Sequence, residues 1–283
     1  MKRVLRSIYG AYFGTVDDFR TLAQQGMISG PYGCQMPQGD LLNYVHFDDF
    51  EGATLLGTWN VLKGTDGAAA NFAINGGISG TVQGTTGATT TTMAGSGILI
   101  SSNLNYKAQG ALAAAGPNNL ELDIRLQLSS IANIVVFVGF TNATTLQMPI
   151  QGSGVGNGFT GNANDAVGFL YDSTMTTPSW WAVGNKAGVL APLSFNCGSA
   201  PVAATYDQLH ISVDQLGNAN FYRNSGGTIL GSSLQQPSAS SITLANAVTP
   251  TVALTPVVAA FNRTAAASRN VLVDYIMASM NRI

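Results

Sequence analysis

The sequence predicts an all-β protein, an antiparallel sandwich preceded by an N-terminal arm, and three observations carry that prediction. From residue 46 onward stretches of two-residue apolar periodicity recur, with almost no helical spacing. Clusters of Gly, Asn, Ser and Thr cut this pattern into many short runs, as in sandwiches and barrels. Charge is front-loaded: twelve of the twenty-six charged residues lie before residue 67. A length of 283 residues suits one large all-β domain plus an extension. With 46% apolar residues, the low charge content of 9% does not imply disorder, which requires low hydrophobicity as well.

Residues 1–45 read as the arm and 46–283 as the sandwich. The arm opens with Lys2, Arg3 and Arg6; this positive start is not followed by the apolar run or small-residue cleavage site of an export signal. Thr15 with Asp17 and Asp18 reads as an N-cap and an acidic first turn. Val16, Phe19, Leu22 and Ala23 then recur at helical spacing until Gly26, which predicts a helix over 16–25. So short a helix is not stable alone in water, so its apolar side must lie on something. Gly30-Pro31-Tyr32-Gly33 and Met36-Pro37-Gln38-Gly39 punctuate the connection to the sandwich.

In the sandwich the clearest strand is Leu120 to Leu128, with apolar residues at even and polar residues at odd positions, giving one core face and one outer face. Ile134 to Phe140 is continuously apolar and suits a strand covered on both sides. Ala166 to Tyr171 and Trp180 to Val183 extend the set. Leu209, Ile211 and Val213 alternate, Leu216-Gly217-Asn218 turns, and Ala219 to Arg223 returns as a hairpin. Val252 to Phe261 and Val271 to Ala278 supply the last strands. The stretches 67–106, 126–164 and 224–262 carry no charge, an unusual surface for a freely diffusing protein. No internal repeat is present.

A net charge of -2 without a basic cluster excludes a nucleic-acid or anionic-membrane footprint. No apolar run is long enough for a transmembrane helix. Cys34 and Cys197 stand far apart without a CxxC partner and read as two free, partly buried thiols. His46 and His210 are the only imidazoles, too few for a His-rich metal site, and His210 alternates with core residues, so it belongs on the polar face. No GxSxG elbow or P-loop string occurs, so no catalytic residue, metal or cofactor is expected. Two acidic groups, Asp48, Asp49 and Glu51, and Asn162, Asn164, Asp165 and Asp172, lack the alternating spacing of a calcium loop and read as turn chemistry. Trp180 and Trp181 are the candidate glycan contacts: neighbouring strand residues face opposite ways, so one belongs to the core and its neighbour is left for a ligand. Tyr171, Tyr222 and Trp59 read as core or rim packing.

Several segments together resemble the concanavalin A-like jelly roll of lectins, laminin-G-like domains and some glycoside hydrolases. They are His46-Phe47-Asp48-Asp49-Phe50-Glu51 with Trp59, Val138-Gly139-Phe140, Ala166-Val167-Gly168-Phe169, Tyr206 to Asp214 with Phe221-Tyr222, and Val273-Asp274-Tyr275-Ile276. Glu121-Leu122-Asp123 looks like the nucleophile half of the family-16 glycoside hydrolase strand motif. Arg125 or Leu126 stands where its second Glu belongs, so the resemblance implies no hydrolase. The Gly/Ala/Thr/Asn-rich, charge-poor composition with an N-terminal arm is similar to bacteriophage virion proteins of the decoration and fibre types. That resemblance implies a non-enzymatic decoration or cement protein on the virion capsid surface, assembled in the host cytoplasm, homotrimeric, and bound to the major capsid protein and neighbouring copies. In this reading Val16, Phe19 and Leu22 are the arm's apolar anchors and Lys2, Arg3 and Arg6 its charged grips. The alternative it implies is a receptor-binding head or tail fibre protein recognising host glycan.

Overall fold

The computed structural model describes residues 4–6, 12–15, 43–50, 54–66, 71–75, 80–109, 120–154, 156–191, 194–225, 242–264 and 267–281. In chain order the strands are β1 (Val4–Arg6), β2 (Tyr12–Thr15), β3 (Asn43–Asp48), β4 (Trp59–Lys63), β5 (Asn71–Ile74), β6 (Val82–Thr85) and β7 (Ile98–Ser102). They continue with β8 (Leu120–Leu128), β9 (Ile134–Thr141), β10 (Ile150–Gly152), β11 (Phe159–Gly161), β12 (Ala166–Asp172), β13 (Trp180–Lys186) and β14 (Val189–Leu190). The last are β15 (Phe195–Asn196), β16 (Tyr206–Val213), β17 (Ala219–Ser225), β18 (Ile242–Leu244), β19 (Thr255–Asn262) and β20 (Asn270–Asn281). A single turn of helix, α1 (Met93–Ser96), is capped by the Thr92 hydroxyl, which accepts from the Gly95 N–H.

Two large antiparallel sheets face each other. The first runs β14-β13-β12-β9-β19-β7-β4, with β15 also on β13; the second runs β18-β17-β16-β8-β20-β6-β5, with β3 also on β20. Neighbours in sequence are often not neighbours in the sheet: β8 lies between β16 and β20, and β9 between β12 and β19. The sandwich is nearly all antiparallel strand, as the alternation predicts.

Each strand's pattern follows from what covers it. On β8, Leu120, Leu122, Ile124, Leu126 and Leu128 point inward and are at most 1% exposed. Opposite them stand Ile134, Val136, Val138 and Phe140 of β9 with Phe169 and Trp180, which make up the core between the sheets. The other side of β9 is also closed. Val135 and Phe137 join Leu170, Trp181 and Val257 in a second apolar cluster under Met148, Ile150, Phe159 and Met175. The β10–β11 hairpin thus forms a flap over the first sheet, and this is why β9 is apolar from Ile134 to Phe140 and β12 from Ala166 to Leu170. The paired Gly139 and Gly168 let these strands pack closely, since a Cβ at Gly139 would meet the Val167 carbonyl oxygen at 2.2 Å.

The predicted hairpin is present, with Val213 opposite Ala219 and Gly217 at φ +80° in the turn. Asp214 Oδ1 accepts from the Leu216 and Asn218 N–H groups and fixes that turn. Two details differ from expectation. β3 begins at Asn43 and pairs with β20, so the sandwich starts within the segment read as the arm. Within 1–45, β1 and β2 pair as a small antiparallel ladder that alternation did not reveal. The predicted helix over 16–25 lies outside the described residues.

Candidate functional site

The outward side of the second sheet collects the polar and aromatic residues that β8, β16, β17, β20 and β3 set opposite one another. One row across the strands reads Tyr222, His210, Asp123, Met277 and Phe47; the next reads Asn220, Ser212, Glu121 and Ser279; a third reads Gln208, Arg125 and Tyr275. Tyr275 faces outward because a bulge between Val273 and Tyr275 shifts the alternation of β20.

Asp123 is the centre of this face. The sequence places it on an outer face, yet it is 6% exposed, because its neighbours close over it. Its Oδ1 accepts from Tyr275 Oη at 2.7 Å and Gln208 Nε2 at 3.1 Å. His210, on the polar face as expected, brings Nδ1 to 3.5 Å from Asp123 Oδ2 without making a hydrogen bond, and its ring lies 5.5 Å from that of Tyr222. Arg125 is engaged elsewhere, pairing with Asp274 Oδ2 at 2.5 Å and lying over the Tyr206 ring at 4.1 Å. Burial, and next the Asp274 charge, push the Tyr206 hydroxyl above its ordinary value of 10.0, with Arg125 opposing. Glu121 is half-buried between Ser212 and Ser279, and among the described residues no donor reaches its carboxylate.

The tryptophan pair is not part of this face, contrary to expectation. Trp180 is fully buried between the sheets and donates Nε1 to Asp207 Oδ2 at 2.9 Å. Trp181 does point the other way, but the flap covers it. It is 9% exposed, packs edge-on against Phe159 and donates Nε1 to the Thr177 carbonyl at 3.1 Å. Neither ring is open to a sugar. Tyr171 and Trp59 are core, whereas Tyr222 stands on the polar face.

The acidic groups do turn and clamp work. Asp48 accepts from the Phe50 N–H at 2.7 Å and Trp59 Nε1 at 2.6 Å. Asp165 accepts from the Thr249 N–H at 2.7 Å, and Asp172, fully buried, pairs with Arg263 and accepts from the Gly152 N–H at 3.1 Å. Cys197 is a buried free thiol pushed up to about 12 by desolvation. Cys34, Lys2, Arg3, Val16, Phe19 and Leu22 lie outside the described residues; Arg6 closes β1.

His46 lies tilted against Trp59, ring centroids 5.2 Å apart, and among the described residues its Nδ1 has no partner. Burial lowers its pKa from 6.5, with Asp48 pulling the other way. The unfolded chain therefore binds this proton more readily than the folded one. The contribution of neutral His46 is complete above pH 6.5 and is lost as pH falls through the lower folded value. Melting curves from about pH 7.5 down to about pH 5 should show wild type losing more stability than His46→Gln over that window. Equal losses would show that His46 is not the group responsible.

No family model and no curated protein matches the sequence. Solved structures do match. Peanut lectin superposes with a TM-score of 0.52 at 11% identity, covering 85% of this chain and 98% of the lectin. A family-16 glycosyl hydrolase protein from Mycobacterium smegmatis gives 0.52 at 11% identity, covering 83% of this chain and 99% of its own. The fold is the concanavalin A-like lectin/glucanase jelly roll. An immunostimulatory antigen of Mycobacterium tuberculosis, described as a pseudo beta-1,3-glucanase, also matches at 0.50 and 9% identity, covering 84% of this chain and 98% of its own. This jelly roll therefore occurs in proteins named as lectins, as hydrolases and as a pseudo-enzyme, and the fold alone does not choose among them.

Proposed function

We propose that the chain is a non-enzymatic structural protein of a bacteriophage particle, and that the outward face of its second sheet recognises host glycan. The observation that carries the recognition reading is Glu121. A half-buried carboxylate flanked by two serines, with no donor reaching it among the described residues, is an acceptor ready for sugar hydroxyls, with Tyr222 and Phe47 offering apolar ring surface nearby. Lectin-named proteins share the fold, which favours this reading over a purely mechanical one.

The outward positions of β8 support the non-enzymatic part of this reading. Retaining cleavage needs two carboxyl groups about 5–5.5 Å apart, one on each side of the bond. Asp123 is held by Tyr275 and Gln208, and the next outward position of β8 carries Arg125, a cation. A glycan array probed with the full chain, followed by a reducing-end assay on every glycan bound, tests this. Binding without release of reducing ends is expected; release, or no binding at all, would overturn it.

The second reading is the decoration or cement protein on the capsid, a homotrimer bound to the major capsid protein and to neighbouring copies. The charge-free stretches 126–164 and 224–262 favour it, since neutral surface is cheap to desolvate. The large apolar side chains exposed among the described residues, Leu56, Val189, Val202 and Leu216, are scattered, so docking would fall to the arm. Particles assembled with a chain lacking residues 1–42 would then lack this protein, and incorporation that survives the deletion would dismiss the arm as anchor. The cut is placed before β3 because Asn43 already pairs with Asn281.

A further inference from the structure

The flap over the first sheet ends in a glycine-rich tip that includes Gly152-Ser153-Gly154 and Gly156-Asn157-Gly158. Gly154 and Gly156 adopt φ +76° and +63° with open space around their Cα atoms, and Asn157 and Gly158 are exposed. Asn157 is the tip's clasp. Its Oδ1 accepts from the Thr177 N–H at 3.0 Å and its Nδ2 donates to Thr177 Oγ1 at 3.4 Å, while the Gly156 carbonyl accepts from the Thr176 N–H at 3.1 Å. Thr177 in turn holds Trp181, whose indole donates to its carbonyl.

We infer that Asn157 is a site of spontaneous intramolecular modification, and that its conversion loosens the flap over Trp181. The Gly158 main-chain nitrogen, after giving its proton to water, attacks Asn157 Cγ. A new N–Cγ bond forms, the Cγ–Nδ2 bond breaks and ammonia leaves with a proton from solvent, closing a five-membered imide. Water then opens the imide at either carbonyl, leaving an aspartyl or an isoaspartyl residue at position 157. Three features converge on this asparagine. The residue after it has no side chain to shield the attacking nitrogen, the glycines on its N-terminal side let the main chain bend into the ring geometry, and the Thr177 N–H polarises the amide carbonyl under attack. The nearby asparagines after β9 and β11 lack the unshielded nitrogen. Asn142 and Asn162 each precede an alanine, whose side chain covers it; Asn142 shares the polarised carbonyl, accepting from the Asp165 N–H at 3.0 Å, and Asn162 Nδ2 donates to the Met148 carbonyl at 2.8 Å. An isoaspartyl link inserts a methylene into the main chain, shortens the side chain and adds a negative charge, so the pair of bonds to Thr177 cannot be kept.

The test is incubation of the purified full chain in warm, mildly alkaline buffer, with peptide mapping and acrylamide quenching of tryptophan fluorescence over time. Trp59, Trp180 and Trp181 are all buried at the start, so a gain in quenching reports an opened cover. The expected result is loss of the unmodified Asn157 peptide while the Asn142 and Asn162 peptides stay intact. Quenching should rise in step, and Asn157→Gln should abolish both changes. Survival of the Asn157 peptide alongside its controls, or its conversion with no change in quenching, would overturn the inference.

Discussion

Asp207→Ala is expected to destabilise the sandwich by about 3–5 kcal/mol, the cost of leaving a buried charge without its partner. Asp207 opens the inward row of β16 and is 4% exposed, on the face otherwise held by Leu209, Ile211 and Val213. Its Oδ1 accepts from Arg223 Nε at 3.2 Å and Nη2 at 3.0 Å, and its Oδ2 accepts from Trp180 Nε1 across the core. One carboxylate thus ties β16 and β17 of the second sheet to β13 of the first. Arg223, 7% exposed, spends its remaining donors on the Ser199 and Ala200 carbonyls and pins the loop after β15. Removing the carboxylate strands the guanidinium and the indole N–H together. Urea titration should show a lower midpoint at unchanged slope. The double variant Asp207→Leu/Arg223→Met, which removes both charges, should lose much less. A loss below about 1 kcal/mol for Asp207→Ala would mean that solvent reaches the pair.

Glu121→Ala is expected to weaken glycan binding about ten- to hundredfold, since a hydrogen bond to a charged group contributes about 1.5–3 kcal/mol. Stability should stay within about 0.5 kcal/mol, because among the described residues the Glu121 carboxylate supports nothing in the fold. Asp123→Ala should behave differently. It releases Tyr275 and Gln208 as well as the acceptor, so stability and binding fall together. Calorimetric titration of an array-selected glycan into the three proteins, with melting curves alongside, separates the two residues. Full affinity in Glu121→Ala would remove it from the site.

Much of the architecture is written in short-range pattern. The even positions of β8 and the inward row Leu209, Ile211 and Val213 of β16 are core as alternation requires, and the unbroken apolar run of β9 marks a strand covered on both sides. What covers it is not legible, because a glycine-rich loop gives no sign that it folds back as a flap; for that reason the pair Trp180 and Trp181 reads as leaving one ring for a ligand, whereas both are closed. Asp207 shares the parity of Leu209, Ile211 and Val213, but the residues that make its burial tolerable, Trp180 and Arg223, come from other strands. Tyr275 shares a parity with Val271 and Val273, which are inward, and only the bulge turns it to the face with Asp123. The site's residues are thus visible one by one as outer-face positions, while their meeting depends on strand order, which non-adjacent pairing conceals.

Recognition through the outward face of the second sheet fixes which residues a bound glycan perturbs. Amide chemical-shift mapping of the isotope-labelled full chain, titrated with an array-selected glycan, tests it most directly. Shifts confined to β8, β16, β17, β20 and β3, centred on Glu121, Asp123 and His210, are the predicted result. Shifts centred on the first sheet and its flap around Trp181, with β8 silent, would contradict it.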